Sequence, residues 1–254
     1  RDPGEHGADG DNPLVCEPGT FAMPVLDQDR QRAVLGLVVL NSGDYAREGG
    51  YGRPSDAALR FVHDVPRWLG VRSLVFQHMP LPQFYDVLKA MPANADNAIQ
   101  GYRKYDAQYY VLDDDRTLPG GYLGEGVSCP DEDCGEFAAL RDTDGYIGVV
   151  VGHDHRNGFV GSLNGMMLVA TPTCGFGSYG PAAANRAARL FEFDIRHPYS
   201  PRTQLLTFGE LVGKPSSNKA YTYAVEGQSN AADGVNLLRK PGLLAGVAAA
   251  LKKI

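Results

Sequence analysis

Two apolar runs dominate the pattern along the chain, Ala33 to Leu40 (AVLGLVVL) and Tyr146 to Val151 (YIGVVV). Both are strand-sized, rich in β-branched residues and stopped by turn formers, which predicts strands buried on both faces. A third strand is predicted over Arg72 to His78, closed by Met79-Pro80-Leu81-Pro82, since proline cannot extend a ladder. Between the first and third, Ser55 is an N-cap candidate for a helix carrying Leu59, Val62 and Leu69, with Pro66 ending or kinking it. Gln83 to Met91 reads as a short helix, residues 92 to 124 as a poorly patterned surface excursion, and Glu136 to Asp142 as another short helix. Phe159 to Leu163 and Met166 to Ala170 form a hairpin through Asn164-Gly165, the strongest two-residue turn signal. Ala187 to Ile195 and Thr203 to Phe208 are predicted as the last strands.

Helices and strands thus alternate first, and a strand-rich segment follows. The fold class expected is α/β, a layered architecture in which one sheet gains antiparallel edges. Three parts are expected: an irregular segment over 1–31, a main domain over 32–212, and a polar tail over 213–254 with a terminal amphipathic helix. That helix would run from Leu237 to Ile254 and place Leu243, Leu244, Val247 and Leu251 near one face.

The 254 residues suffice for one large domain, and 43% hydrophobic with 21% charged residues is ordinary for a globular protein. A net charge of −6 argues against nucleic acid or an anionic membrane as the main partner. No apolar run approaches the length of a transmembrane helix. The compartment stays open between the secretory pathway and the cytoplasm. The chain opens Arg1-Asp2-Pro3 rather than with Met, which is expected of a processed or truncated start. Cys129 and Cys134 flank Pro130-Asp131-Glu132-Asp133, a spacing open to a small loop disulfide or to free thiols; Cys16 and Cys174 have no such neighbour.

Candidate chemistry gathers at histidines. Gly152-His153-Asp154-His155 follows the second apolar run directly, and H-x-H in an extended segment places both imidazoles on one side. His78 ends its own strand in the same way. If the two strands are parallel neighbours, His78, His153 and His155 meet at one sheet edge, which is half of a metal site. Asn157 and Tyr179 are candidate substrate contacts, from the loops after the ligand strand and after Gly175-Phe176-Gly177. Asp154 alternates away from its neighbours and is expected behind the ligands.

Gly152-His153-Asp154-His155 and Phe76-Gln77-His78-Met79-Pro80-Leu81-Pro82 resemble the G-H-x-H and isolated-His motifs of calcineurin-like metallophosphoesterases, in the purple-acid-phosphatase-like branch. Asn41-Ser42-Gly43-Asp44-Tyr45, Gly50-Tyr51-Gly52, Glu125-Gly126-Val127-Ser128, Gly175-Phe176-Gly177 and Arg186-Ala187-Ala188-Arg189 occur in the expected order. The resemblance implies a four-layer αββα sandwich, of which this chain would supply the C-terminal portion. It implies two divalent or mixed-valence metal ions (Fe, Mn, Zn or Mg), with His78 and His153 on one and His155 on the other. It also implies hydrolysis of phosphate esters, from a small phosphorylated substrate or a phosphoprotein. The family's D-x-H, G-D-x-x-D and G-N-H motifs do not occur here. The expectation is therefore that an N-terminal half of the same domain is missing, and that this chain alone lacks part of the active site. The alternatives are a catalytically inactive phosphoesterase-like binding module and a mononuclear His-metal protein of other chemistry.

Overall fold

The structure, a computed structural model, describes residues 13–212. These form two compact units, 13–173 with 187–206, and 174–186 with 207–212. The first is mixed α/β and is built on a seven-stranded sheet. In chain order its strands are β1 (Leu14–Glu17), β2 (Thr20–Leu26), β3 (Ala33–Leu40), β4 (Ser73–Gln77), β8 (Tyr146–Val151), β9 (Val160–Leu163) and β10 (Met166–Ala170). In space they run β1-β2-β3-β4-β8-β10-β9. The four central strands β3, β4, β8 and β10 are mutually parallel, and both margins are antiparallel hairpins.

The two longest apolar runs occupy central positions, and every residue of β8 is buried. Helix α1 (Asp56–Leu69) connects β3 to β4. Ser55 caps it by accepting from the Ala58 amide, as expected, and Gly70 ends it in the left-handed conformation. Pro66 lies inside the helix without ending it, three residues before the last turn closes. Ala58, Phe61, Val62, Val65 and Leu69 of α1 join Phe137 and Leu140 of α2 (Glu136–Arg141) in the larger core, on one face of the sheet. The Tyr146 hydroxyl, at the start of β8, donates to the Val62 carbonyl and ties sheet to helix. A second cluster of Leu35, Leu74, Ile147, Val150, Val160 and Val169 lies across the strands, with Phe76 and Phe191 packed against it. Phe191 belongs to β11 (Ala187–Glu192), which pairs only with β12 (Arg202–Thr207). The described residues are thus mixed α/β, with few helices and one large mixed sheet beside a two-stranded ribbon, and they do not close a four-layer sandwich.

Three expectations are corrected. The described residues before 32 are not irregular, because β1 and β2 extend the sheet. Pro24 in β2 hides this, since proline usually argues against a strand inside a sheet. Its partner on β3 is Gly36, whose amide points the other way, to the Arg72 carbonyl of the β4 side. Pro24 and Gly36 are therefore a non-hydrogen-bonded pair, so Pro24 faces away from β3, past the point where β1 stops pairing. No ladder bond is lost. Next, Gln83 to Met91 is not one helix: a 3₁₀ stretch over Pro82–Val87 gives way to β5 (Leu88–Met91). Last, the 92–124 excursion contains β6 (Ile99–Gln100) and β7 (Tyr109–Leu112), which make a small β5-β7-β6 sheet. Its continuation zips onto edge strand β9 through Leu118 to Val160 and Tyr122 to Gly158 backbone bonds.

All four cysteines are free thiols, which resolves the Cys129–Cys134 alternatives. In the second unit, α3 (Phe208–Val212) meets the 3₁₀ turn Ala183–Asn185, and the buried Arg186 guanidinium donates to the carbonyls of Gly175 and Ser178. The predicted tail and its terminal helix lie outside the described residues. Among the described residues no helix is long and apolar enough to cross a membrane.

Glu136 is the costly residue of this fold. It is 4% exposed, and burial pushes its carboxyl up to about 8, against a hydrogen bond with Gln77. Because the folded value lies above the unfolded one, the folded state holds a proton that the unfolded state loses from about pH 4.5. Stability should then fall by a few kcal/mol as pH rises from about 4.5 to 8. Glu136→Gln should leave the urea midpoint unchanged near pH 4 and raise it at pH 8. Parallel unfolding curves for the two proteins at both pH values would count against this.

Candidate metal centre

The histidines are positioned by strand register. Gln77 of β4 sits opposite Val151 of β8, so the two parallel strands end side by side. His78 and Gly152 follow, and the Gly152 amide donates to the His78 carbonyl at 3.2 Å, extending the pairing one step beyond the sheet. Beyond this the chain does not stay extended. The Asp154 amide donates to the Gly152 carbonyl at 2.8 Å, closing a γ-turn around His153, whose φ is +63°. A non-glycine residue held there is strained, and such strain gathers at functional sites. H-x-H therefore does not act through strand alternation; the tight turn aims His153 at His78.

His78 Nε2 and His153 Nδ1 lie 3.1 Å apart, with the rings nearly perpendicular at 76°. Burial, and then the neighbouring His155, lower the pKa of His78. Burial, His78 and His155 together lower His153 to about 4. Both shifts favour the neutral imidazole, the state in which a ring nitrogen can bind metal. Two nitrogens bound to one ion at about 2.0–2.1 Å stand about 2.9–3.4 Å apart when the angle between them runs from right to tetrahedral. His153 Nδ1 and His78 Nε2 are hydrogen-bonded to each other, one ring donating its N–H to the other, at a separation that falls within that span. His155 lies close enough to bias both, and its carbonyl accepts from the Thr173 amide. The structure does not close a larger set: among the described residues no group of three or more His, Cys, Asp or Glu side chains is arranged to hold a metal.

Asp154 lies behind the ligands as expected. It is 3% exposed and accepts from the Ser128 amide. Burial, and repulsion from Glu125, push it up to about 7. Asn157 is fully buried, and its carboxamide oxygen accepts from the amides of Gly124 and Glu125 at 3.0 and 3.1 Å. That oxygen holds the 124–125 loop. Tyr179 belongs to the second unit. His63 is exposed on α1 beside Asp64, and His197 sits in an exposed turn.

Unforeseen is Tyr51, whose ring meets the His153 ring edge-on at 4.4 Å between centroids. Its signal in the sequence was the Gly50-Tyr51-Gly52 motif of the resemblance, which gave the tyrosine no role. A Cβ on Gly52 would come within 2.8 Å of the Asp44 carbonyl, and one on Gly50 within 2.9 Å of the Arg103 side chain.

No family model matches the chain, and no solved structure matches it. It is 27% identical over 182 residues to a protein of Arabidopsis thaliana named "Probable inactive purple acid phosphatase 29". The aligned region takes in 65% of this chain and 40% of that relative, so the chain spans well under half of the length of the protein it matches. The likeness supports a relationship to metallophosphoesterases at a distance.

Asn157→Ala should lower folding stability by about 1–3 kcal/mol, because two buried amides lose their acceptor. Urea denaturation checks this: an unchanged midpoint would show that the Asn157 oxygen is not what holds the loop.

Proposed function

We propose that this chain is a phosphoesterase-like binding module: it holds one metal ion weakly at His78 and His153 and does not by itself work as a phosphatase. The observation that carries the reading is the 3.1 Å contact of two neutral imidazole nitrogens, with no carboxylate joined to them in a metal-holding group among the described residues. Neutral ligands do not offset the charge of two dications, and a bridging carboxylate is also what fixes the spacing of a two-metal site. The name of the plant relative, an inactive phosphatase, favours the same reading.

A second reading is favoured by the 40% coverage of that relative. Here the complete domain is an αββα sandwich with two metal ions, and residues outside this chain supply the carboxylates, an Asn and a further His. His155 would then serve the second ion. Bound metal would polarise a phosphate ester and supply hydroxide. This chain's own residues would hold His153 in its strained turn, keep both imidazoles neutral, and brace the loop behind them through Asp154 and Asn157.

Equilibrium dialysis against Zn²⁺ should find no more than one ion per chain, lost in His78→Ala and in His153→Ala. Turnover of 4-nitrophenyl phosphate should stay near the metal-only background. Two tightly bound ions per chain, or turnover that disappears with His153→Ala, would overturn the inactive reading.

A further inference from the structure

Three tyrosines stand beside the histidine pair, and neither reading above uses them. Tyr51 touches His153, and it is flanked by Tyr45 at 5.7 Å and by Tyr102 at 5.8 Å between ring centroids. The outer two are open to solvent, Tyr45 at 76% and Tyr102 at 37% exposure. Both outer rings pack against Tyr51, and Tyr102 is hydrogen-bonded to it, yet each keeps a solvent-open surface next to the histidines, and contiguous exposed aromatic surface marks a binding site.

The arrangement is held firmly. Tyr45 and Tyr51 form a bridge across the 45–51 loop. The Tyr102 amide donates to the Tyr85 hydroxyl at 2.9 Å, and that hydroxyl donates in turn to the Val127 carbonyl. The next residue, Arg103, grips Asp131 through two nitrogens and packs against Gly50, locking the two aromatic loops together. Such a surface takes up a ligand with little ordering cost.

Ring orientation selects the kind of ligand. The planes are inclined by 33° between Tyr45 and Tyr51, and by 28° between Tyr51 and Tyr102. Tyr51 and Tyr102 are stacked and Tyr45 is tilted against them, so the rings lean the same way and leave an outer face open. They do not make the convergent walls of a cage for a quaternary ammonium ion. We infer that Tyr45, Tyr51 and Tyr102 form a stacking platform for the flat ring of a phosphate ester, a nucleobase or an aryl group, whose phosphate lies at His78 and His153. This inference rests on the reading of the histidine pair as a metal and phosphate site.

Calorimetry on the Zn²⁺-supplemented protein tests it, with four probes: adenosine 5′-monophosphate, 4-nitrophenyl phosphate, ribose 5-phosphate and inorganic phosphate. Stacking of one ring should make at least one of the two aromatic esters bind roughly tenfold tighter than ribose 5-phosphate. Which of the two gains more tells nucleobase from aryl group. Tyr45→Leu combined with Tyr102→Leu should remove that advantage and leave ribose 5-phosphate affinity unchanged, whereas Tyr102→Phe should keep it. Both residues are solvent-facing, and an unchanged circular dichroism melt would confirm that the variants fold. His153→Ala should weaken all four probes. Equal affinity for aromatic and non-aromatic phosphates, or an advantage that survives loss of both rings, overturns the platform and leaves the phosphate site standing. Aromatic esters that bind while both non-aromatic phosphates fail would uphold the platform and sink the phosphate site. Failure of all four removes both.

Discussion

The arrangement depends on one constraint, the parallel register that sets Gln77 of β4 opposite Val151 of β8. It brings two strand ends together that are 74 residues apart along the chain, and it does so before any side chain of the site is considered. The Gly152 amide then finds the His78 carbonyl. A shift of one residue would exchange the side chains of β8 between the two core clusters it serves, Tyr146, Val149 and Val151 in one and Ile147 and Val150 in the other, and leave both misfilled. The core therefore enforces the register, and the register in turn enforces the histidine contact. Gly148 allows the close approach on the other side of β8, where a Cβ would come within 2.5 Å of the Met167 carbonyl of β10.

Around that edge the polar groups divide into two kinds. Asp154, Asn157 and Ser128 lie inward and satisfy one another or the loop amides, so they shape the turn. His78, His153 and the tyrosines lie outward and keep surface or lone pairs available. The left-handed backbone of His153 stands between the two groups. It is held by the inward set and presented to the outward one, which is how strain at a single residue persists in a stable fold.

Legibility followed from how local the determining forces are. Ala33–Leu40, Tyr146–Val151 and the hairpin through Asn164-Gly165 are declared by short-range pattern, and the structure keeps them unchanged. Strand β2 was concealed because Pro24 is harmless only when its orientation relative to Gly36 and the end of β1 is known. Leu88–Met91 is a strand because Tyr109–Leu112 pairs with it, and the short apolar run alone carries no decision between helix and strand. Asn157 looked like a site residue by proximity to the histidines, yet its partners are backbone amides 32 and 33 residues earlier.

The amino-acid sequence by itself determined the central strands, the cap of α1, and the placement of His78 and of His153 each just past a buried strand, since these follow from periodicity and from residues that stop a ladder. Tertiary structure decided the rest. It turned H-x-H from an alternating pair into a γ-turn aimed across two strands. It brought the ring nitrogens of His78 and His153 to 3.1 Å, and it set Tyr45, Tyr51 and Tyr102 beside them. Each of these depends on distances between segments far apart in the chain, which only the packed sheet and its loops define.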